Sequence, residues 1–163
     1  MINKNLRSEV SFREALTADI PELAEIRAKN WGSEEYWNHR ISGYLDGTLN
    51  PQQALKPRII YIAQANNIIV GFIAGHLTQR LGCDGELEWI DTRKEYQRMG
   101  IASELIRLLA KWFVSQKAYK ICIDPGNDVA RKFYYKNGAT KLNRHWMMWE
   151  DIRTVLPSES RQP

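Results

Sequence analysis

The run Gln97-Arg98-Met99-Gly100-Ile101-Ala102 constrains this chain more than any other stretch. It lies between an expected strand, Glu86–Thr92, and an expected helix, Gly100–Lys117. A turn of small residues at a helix start leaves several backbone N–H groups unpaired, with the positive end of the helix dipole behind them. Such an end is suited to a pyrophosphate. Alone, a Gly-x-Ala turn says little, because any strand-to-helix turn favours small residues. Its weight comes from a second segment further on, Asn127–Gly138.

The surrounding chain is that of a globular domain. Its 163 residues suffice for one sizeable core, expected over residues 1–156, with 157–163 as a disordered tail. A hydrophobic content of 44% against 26% charged residues excludes the highly charged, apolar-poor composition of a disordered chain. No apolar run is long enough to span a bilayer, and Met1–Arg7 lacks the apolar core of a signal peptide. The expectation is a cytoplasmic protein with no membrane partner. The net charge of +4 suits an anionic ligand such as a phosphorylated cofactor. Lys and Arg are spread along the chain rather than gathered in a stripe, which argues against nucleic acid. Cys83 and Cys122 form no metal-spacing motif and read as small buried hydrophobes. A nucleophilic Cys122 in a ping-pong reaction is the lesser alternative.

Strand and helix signals alternate from Val10 onward. Val10–Leu16 reads as a strand, then Thr17 or Asp19 caps a helix with Pro21 in its first turn. A second helix is expected at Glu34–Leu45, with Trp37, Ile41, Tyr44 and Leu45 on one stripe and Asp46-Gly47 ending it. Ile59–Ala63 and Ile68–Leu77 flank Asn66-Asn67, a hairpin turn. The helix after the glycine turn carries Ile101, Leu105, Leu108, Leu109 and Trp112 at helical spacing. A strand at Lys120–Asp124, a helix at Asp128–Asn137 and strands around Gly138–Leu142 and His145–Trp149 complete a mixed α/β domain with one central sheet.

In the second segment, Asn127 opens a helix, Phe133 and Tyr134 follow, and Gly138 stops it. Locally this is a capped helix with core aromatics. Combined with the first segment, it closely resembles the GNAT superfamily of N-acetyltransferases. Gln97-Arg98-Met99-Gly100-Ile101-Ala102 fits the family's Gln/Arg-x-x-Gly-x-Gly/Ala turn, and Asn127, Ala130, Tyr134 and Gly138 fall at the spacing of its second block. Lys94 departs from the Pro that many relatives carry after the strand, and Ala139 from a common bulky aromatic.

The resemblance implies a mixed sheet flanked by helices, with two splayed parallel strands forming the acyl-CoA cleft. It implies acetyl-CoA as cofactor, its pyrophosphate held by the turn Gln97, Arg98, Met99, Gly100, Ile101, Ala102 and Ser103, chiefly through backbone amides. Gly100 would let the chain approach the phosphates, and Arg98 could add charge. Glu86–Thr92 would lie beside the pantetheine arm, the Thr92 backbone pairing with it and the Ile90 amide facing the thioester oxygen. Asn127 would hold the arm from the other side, and Tyr134 would reach the thioester sulfur.

Acyl transfer to an amine needs loss of an ammonium proton, a stabilised oxyanion and protonation of the leaving thiolate. The Ile90 amide suits the second task and Tyr134, protonated at neutral pH, the third. For the base, Glu86 and Glu88 stand two apart on a strand and so share a face with Ile90, whereas Asp91 points the other way. Glu86 sits where some protein-modifying relatives have their base; ordinary exposed carboxylates are the alternative reading. His39, His76 and His145 have no ligand spacing, and no metal is expected.

Acceptor specificity is expected from the first two helices. Trp31, Glu34, Glu35 and Trp37 combine aromatics with acids, which suits a cation, although core tryptophans and helix-opening glutamates account for them equally. The expected function is transfer of acetyl from acetyl-CoA to a primary amine by direct attack in a ternary complex, with a small-molecule amine favoured. Its rivals are a protein lysine or N-terminus as acceptor, mildly favoured by the Glu86 position, and a non-catalytic acyl-CoA sensor. Strands exposed near the C-terminus leave homodimerisation open.

Overall fold

The computed structural model describes residues 9–158; the expectations made for the first residues and for 159–163 lie outside them. Seven strands form one sheet: β1 (Ser11–Glu14), β2 (Ala54–Ala65), β3 (Ile68–Thr78), β4 (Gly85–Thr92), β5 (Ile121–Ile123), β6 (Thr140–Lys141) and β7 (Met147–Trp149). Their spatial order is β1-β2-β3-β4-β5-β7-β6, and β4–β5 is the parallel pair among antiparallel ones. Four helices flank the sheet: α1 (Ile20–Ala28), α2 (Glu34–Asp46), α3 (Ile101–Ser115) and α4 (Asp128–Lys136). No helix among the described residues is long and apolar enough to cross a membrane.

The mixed sheet follows from local signals. Asn66 and Asn67 both adopt left-handed backbone (φ 51° and 63°), as the tight turn joining β2 to β3 requires. The Ser33 hydroxyl caps α2 by accepting from the Tyr36 amide, and Gly47 at φ 81° ends it. Thr17 and Asp19 behave differently from the expected cap: they form a short 3-10 turn, and the Asp19 carboxylate reaches back to the Leu16 amide and the Arg13 guanidinium. An opposing cation and two donors in fork geometry outcompete the helix end for that carboxylate.

The sheet separates two cores. On one face α1 and α2 bury Leu23, Trp37, Ile41 and Tyr44 against Phe72 and Trp89. On the other, α3 buries Ile101, Leu105, Ile106, Leu109 and Phe113 against Ile73, Leu87 and Ile121. The buried stripe of α3 is rotated from the expected one. Leu108 and Trp112 lie at its edge, because Ile106 and Phe113 turn toward the sheet. Both cysteines are free and buried, as expected of small hydrophobes.

Two features of β4 shape everything beside it. Its pairing with β5 is confined to Gly85↔Ile121 and Glu86↔Cys122, beyond which the strands part. Its pairing with β3 slips by one residue: Ala74 faces Trp89 while Gly75 faces Leu87, so Glu88 is an unpaired bulge.

Candidate active site

The bulge resets the alternation of β4. Glu86 and Glu88 do share a face, their carboxylates gathered with His76 within 4.8 Å. Ile90 does not join them. It packs into the α3 core, while Trp89 and Asp91 turn to the α1–α2 side. The expectation that Ile90 sides with the glutamates and Asp91 opposes them is therefore reversed, because one extra residue inverts every later side chain.

The two glutamates have different surroundings. Glu86 is buried, 3% exposed, with Oε2 2.9 Å from His76 Nε2 and Oε1 accepting from Arg80 at 3.1 Å. His76 is fully buried, its Nδ1 3.0 Å from the Tyr44 hydroxyl. An ionised Glu86 fixes the imidazole as the tautomer with hydrogen on Nε2, and Nδ1 then accepts from Tyr44. Glu88 forms no hydrogen bond or ion pair among the described residues. Burial, then the neighbouring Glu86 charge, push its carboxyl above the usual range, against His76, Arg40 and Arg80. His76, Glu86 and Glu88 bring one potential metal-ligand atom each to this spot, but Arg80 and Tyr44 already engage the Glu86 and His76 atoms.

The backbone of β4 faces the gap left by β5. The Arg93 amide donates to Val70 of β3 at 2.7 Å. Amides alternate sides along a strand, so those of Thr92 and Ile90 point to the other edge, where β5 has diverged. The Thr92 hydroxyl is buried with no hydrogen-bond partner among the described residues. Across the gap, the Asn127 side-chain oxygen caps α4 by accepting from the Ala130 amide at 2.8 Å, which leaves its amide hydrogens free. Tyr134 is buried, 5% exposed, yet its hydroxyl forms no hydrogen bond among the described residues. Burial, aided by the Asp91 charge and opposed by Arg27, raises its phenol further, so it stays protonated. Asp91 itself accepts from Arg27 (2.9 Å) and Asn30 (2.8 Å).

At the start of α3, Arg98 and Gly100 are both left-handed (φ 61° and 81°) around a buried Met99. No side chain caps this helix, so its first amides stay open. Gln97 ties the turn to the Thr92 carbonyl at 3.2 Å, and the Ser103 hydroxyl donates to Asn137 at 3.1 Å. An uncapped helix start, an unpaired strand edge and an unpartnered buried hydroxyl fit a long ligand with a pyrophosphate at one end and an amide-bearing arm.

The residues expected at the acceptor side are dispersed. Trp37 is 3% exposed, with its indole N–H donated to the Trp31 carbonyl and Arg27 over its ring at 4.4 Å, so no cation can reach that face. Trp31 is exposed and packs edge-on to it. Glu34 and Glu35 line a separate groove of about 540 Å³ with Pro21, Ala24, Asn38 and His39. Sequence reasoning missed His76, Arg80 and Arg40. Only the β3–β4 register, which sets His76 opposite Glu86, reveals the first.

A parallel pair that splays beside an uncapped helix start leaves an open strand edge next to open helix amides. Residues 20–139 match the acetyltransferase (GNAT) family, so the chain belongs to that family and is an acetyl-CoA-dependent N-acetyltransferase. The fold is similar to that of an aminoglycoside antibiotic 6'-N-acetyltransferase from Acinetobacter haemolyticus, with TM-score 0.70 and 17% identity over 82% of this chain and 93% of that one. It is also similar to PaiA N-acetyltransferase from Thermoplasma acidophilum, solved with coenzyme A (TM-score 0.61, 19% identity, 87% and 98% covered). A third likeness is to a ribosomal-protein-alanine N-acetyltransferase from Brucella melitensis (TM-score 0.60, 20% identity, 81% and 92% covered). These likenesses are of fold. No curated protein sequence matches the chain.

Proposed function

We propose that the protein acetylates a small-molecule primary amine by direct attack in a ternary complex, with Glu88 as base and Tyr134 as acid. The observation that carries this is a pair of groups with no hydrogen bond among the described residues, the Glu88 carboxyl with its raised pKa and the protonated Tyr134 phenol. Acetyl-CoA, held by the Met99–Ser103 amides and by the Ile90 and Thr92 edge, supplies an activated acetyl thioester. Asn127 would hold the arm from the other side. Glu88 takes the ammonium proton, directly or through water, and its raised pKa makes it a better acceptor than an ordinary carboxylate. The Ile90 amide faces the oxygen on which charge develops, as a fixed dipole in a water-poor gap. Tyr134 Oη holds the proton that the leaving sulfur takes up. The new N–C bond forms as the C–S bond breaks; the second proton, shed by the nitrogen after attack, re-protonates the Tyr134 phenolate, and Glu88 releases the first to solvent.

Two rivals lose support. Glu86, the position that favoured a protein acceptor, is engaged on both carboxylate oxygens. Cys122 is fully buried and its thiol is pushed far up by burial, so it is no thiolate for a ping-pong route.

The test is CoA release from acetyl-CoA by the purified protein across a panel of small amines and basic peptides. Release with a small amine, abolished in Glu88→Gln, supports the reading. Release with basic peptides alone overturns the acceptor class, and full activity in Glu88→Gln overturns the base.

A further inference from the structure

Glu88 clusters with Glu86 and His76, Arg40 lies over the ring of its neighbour Trp89, and the charges of Glu86, His76, Arg40 and Arg80 all act on it. Glu86 and Arg80 are paired with one another, and His76 is bound on both nitrogens. The nearby Asp91 is paired with Arg27. After these pairs cancel, one carboxylate and one guanidinium remain. Glu88 has no hydrogen-bond partner, and Arg40 forms no hydrogen bond or ion pair among the described residues, lying instead over the Trp89 ring at 5.9 Å. Arg40 follows Trp37 by three residues and precedes Tyr44 by four, so it flanks the stripe of α2 that covers β4. Glu35 stands roughly 140° away around the helix and lines the other groove, so it does not neutralise Arg40.

A carboxylate and a guanidinium that act on one another through their fields, each without a hydrogen bond among the described residues, are complementary to a zwitterion rather than to a polycation. A diamine would set its second ammonium against Arg40, where like charges repel. We propose that the acceptor is an amino acid or a similar small amine bearing a carboxylate, its ammonium against Glu88 and its carboxylate on the Arg40 guanidinium. This rests on the acetyltransferase reading above. The planar guanidinium suits a carboxylate because it offers two parallel N–H donors, and the Trp89 ring lies 5.9 Å from it.

The experiment compares kcat/KM for matched pairs: α- and ω-amino acids, their carboxamides, and diamines of equal length, with acetyl-CoA binding followed by calorimetry. The expected result is a preference for the acid over its amide, which Arg40→Gln lowers about ten- to a hundredfold through KM. Arg40→Lys, which keeps the charge, should restore part of that preference. Arg40→Glu should turn it toward diamines. Equal use of acids and amides, or preference for diamines by the natural protein, overturns the zwitterion proposal and leaves the acetyltransferase reading intact. Turnover of none of the carboxylate-bearing amines, with acetyl-CoA still bound, also overturns it. A uniform loss across all acceptors in Arg40→Gln, with a shifted pH profile, would make Arg40 a support for Glu88 and overturn the proposal too. Failure to bind acetyl-CoA would instead bring down the underlying reading.

Discussion

Glu86 faces His76 directly across β3 and β4, Oε2 and Nε2 2.9 Å apart, in a spot closed to solvent. The carboxylate balances the Arg80 guanidinium and fixes the imidazole tautomer that accepts from Tyr44. Removing its charge leaves partners uncompensated in a buried place. Glu86→Gln should therefore destabilise the fold by about 3 kcal/mol, read as a lower urea midpoint at unchanged slope. A variant as stable as the natural protein would mean that the network contributes nothing to folding.

The same charge acts on Glu88. Burial and Glu86 both raise the Glu88 carboxyl. A base works deprotonated, so kcat/KM should fall as pH drops through that raised pKa. Glu86→Gln removes one of the two causes, and the fall should move to lower pH in the fraction that folds. A pH profile left in position by Glu86→Gln would separate the two carboxylates and contradict the coupling.

Much of the fold was legible because its signals are local. The Asn66-Asn67 turn, the Ser33 cap and the apolar spacing of the strands and helices each act over a few residues. The glycine turn and the Asn127 cap were legible for the same reason. What escaped was register. The bulge at Glu88 depends on how β3 and β4 fit together, and no residue nearby announces it. It separates Ile90 from the glutamates and brings Asp91 to Arg27. The acceptor side escaped for a related reason. The fill of Trp37's face by Arg27 and the pairing of Glu86 with Arg80 and His76 are contacts between elements, set by packing rather than spacing.

The Tyr134 hydroxyl forms no hydrogen bond among the described residues, so it adds little to stability. Tyr134→Phe should leave the unfolding free energy within about 0.5 kcal/mol and the acetyl-CoA affinity nearly unchanged. Turnover should fall about a hundredfold or more, the scale of a lost general acid. Stopped-flow or steady-state CoA release measures it. Undiminished turnover removes Tyr134 from the chemistry.

Gly100 stands at φ 81°, where a side chain meets its own backbone. Gly100→Ala should cost about 1–2 kcal/mol in stability. It should also weaken acetyl-CoA binding roughly tenfold, since the first turn of α3 must shift to relieve the strain. Calorimetry with CoA and with acetyl-CoA should give the same loss, because the proposed function sets the turn at the pyrophosphate end. A loss confined to acetyl-CoA would move the contact to the acyl end.

Asn127 serves two purposes that substitution can separate. Its side-chain oxygen caps α4 at 2.8 Å, while its amide hydrogens form no hydrogen bond among the described residues and, in the proposed function, bind the pantetheine arm. Asn127→Ala loses both, and should destabilise the fold by about 1 kcal/mol while weakening acetyl-CoA binding. Asn127→Asp keeps a capping oxygen and adds a charge favourable at a helix N-terminus, so stability should hold or rise. It offers no N–H donor, so the affinity should still fall. Chemical unfolding and calorimetry on the two variants give four values. If Asn127→Asp binds acetyl-CoA as tightly as the natural protein, the residue is a cap alone, and the arm is held by β4.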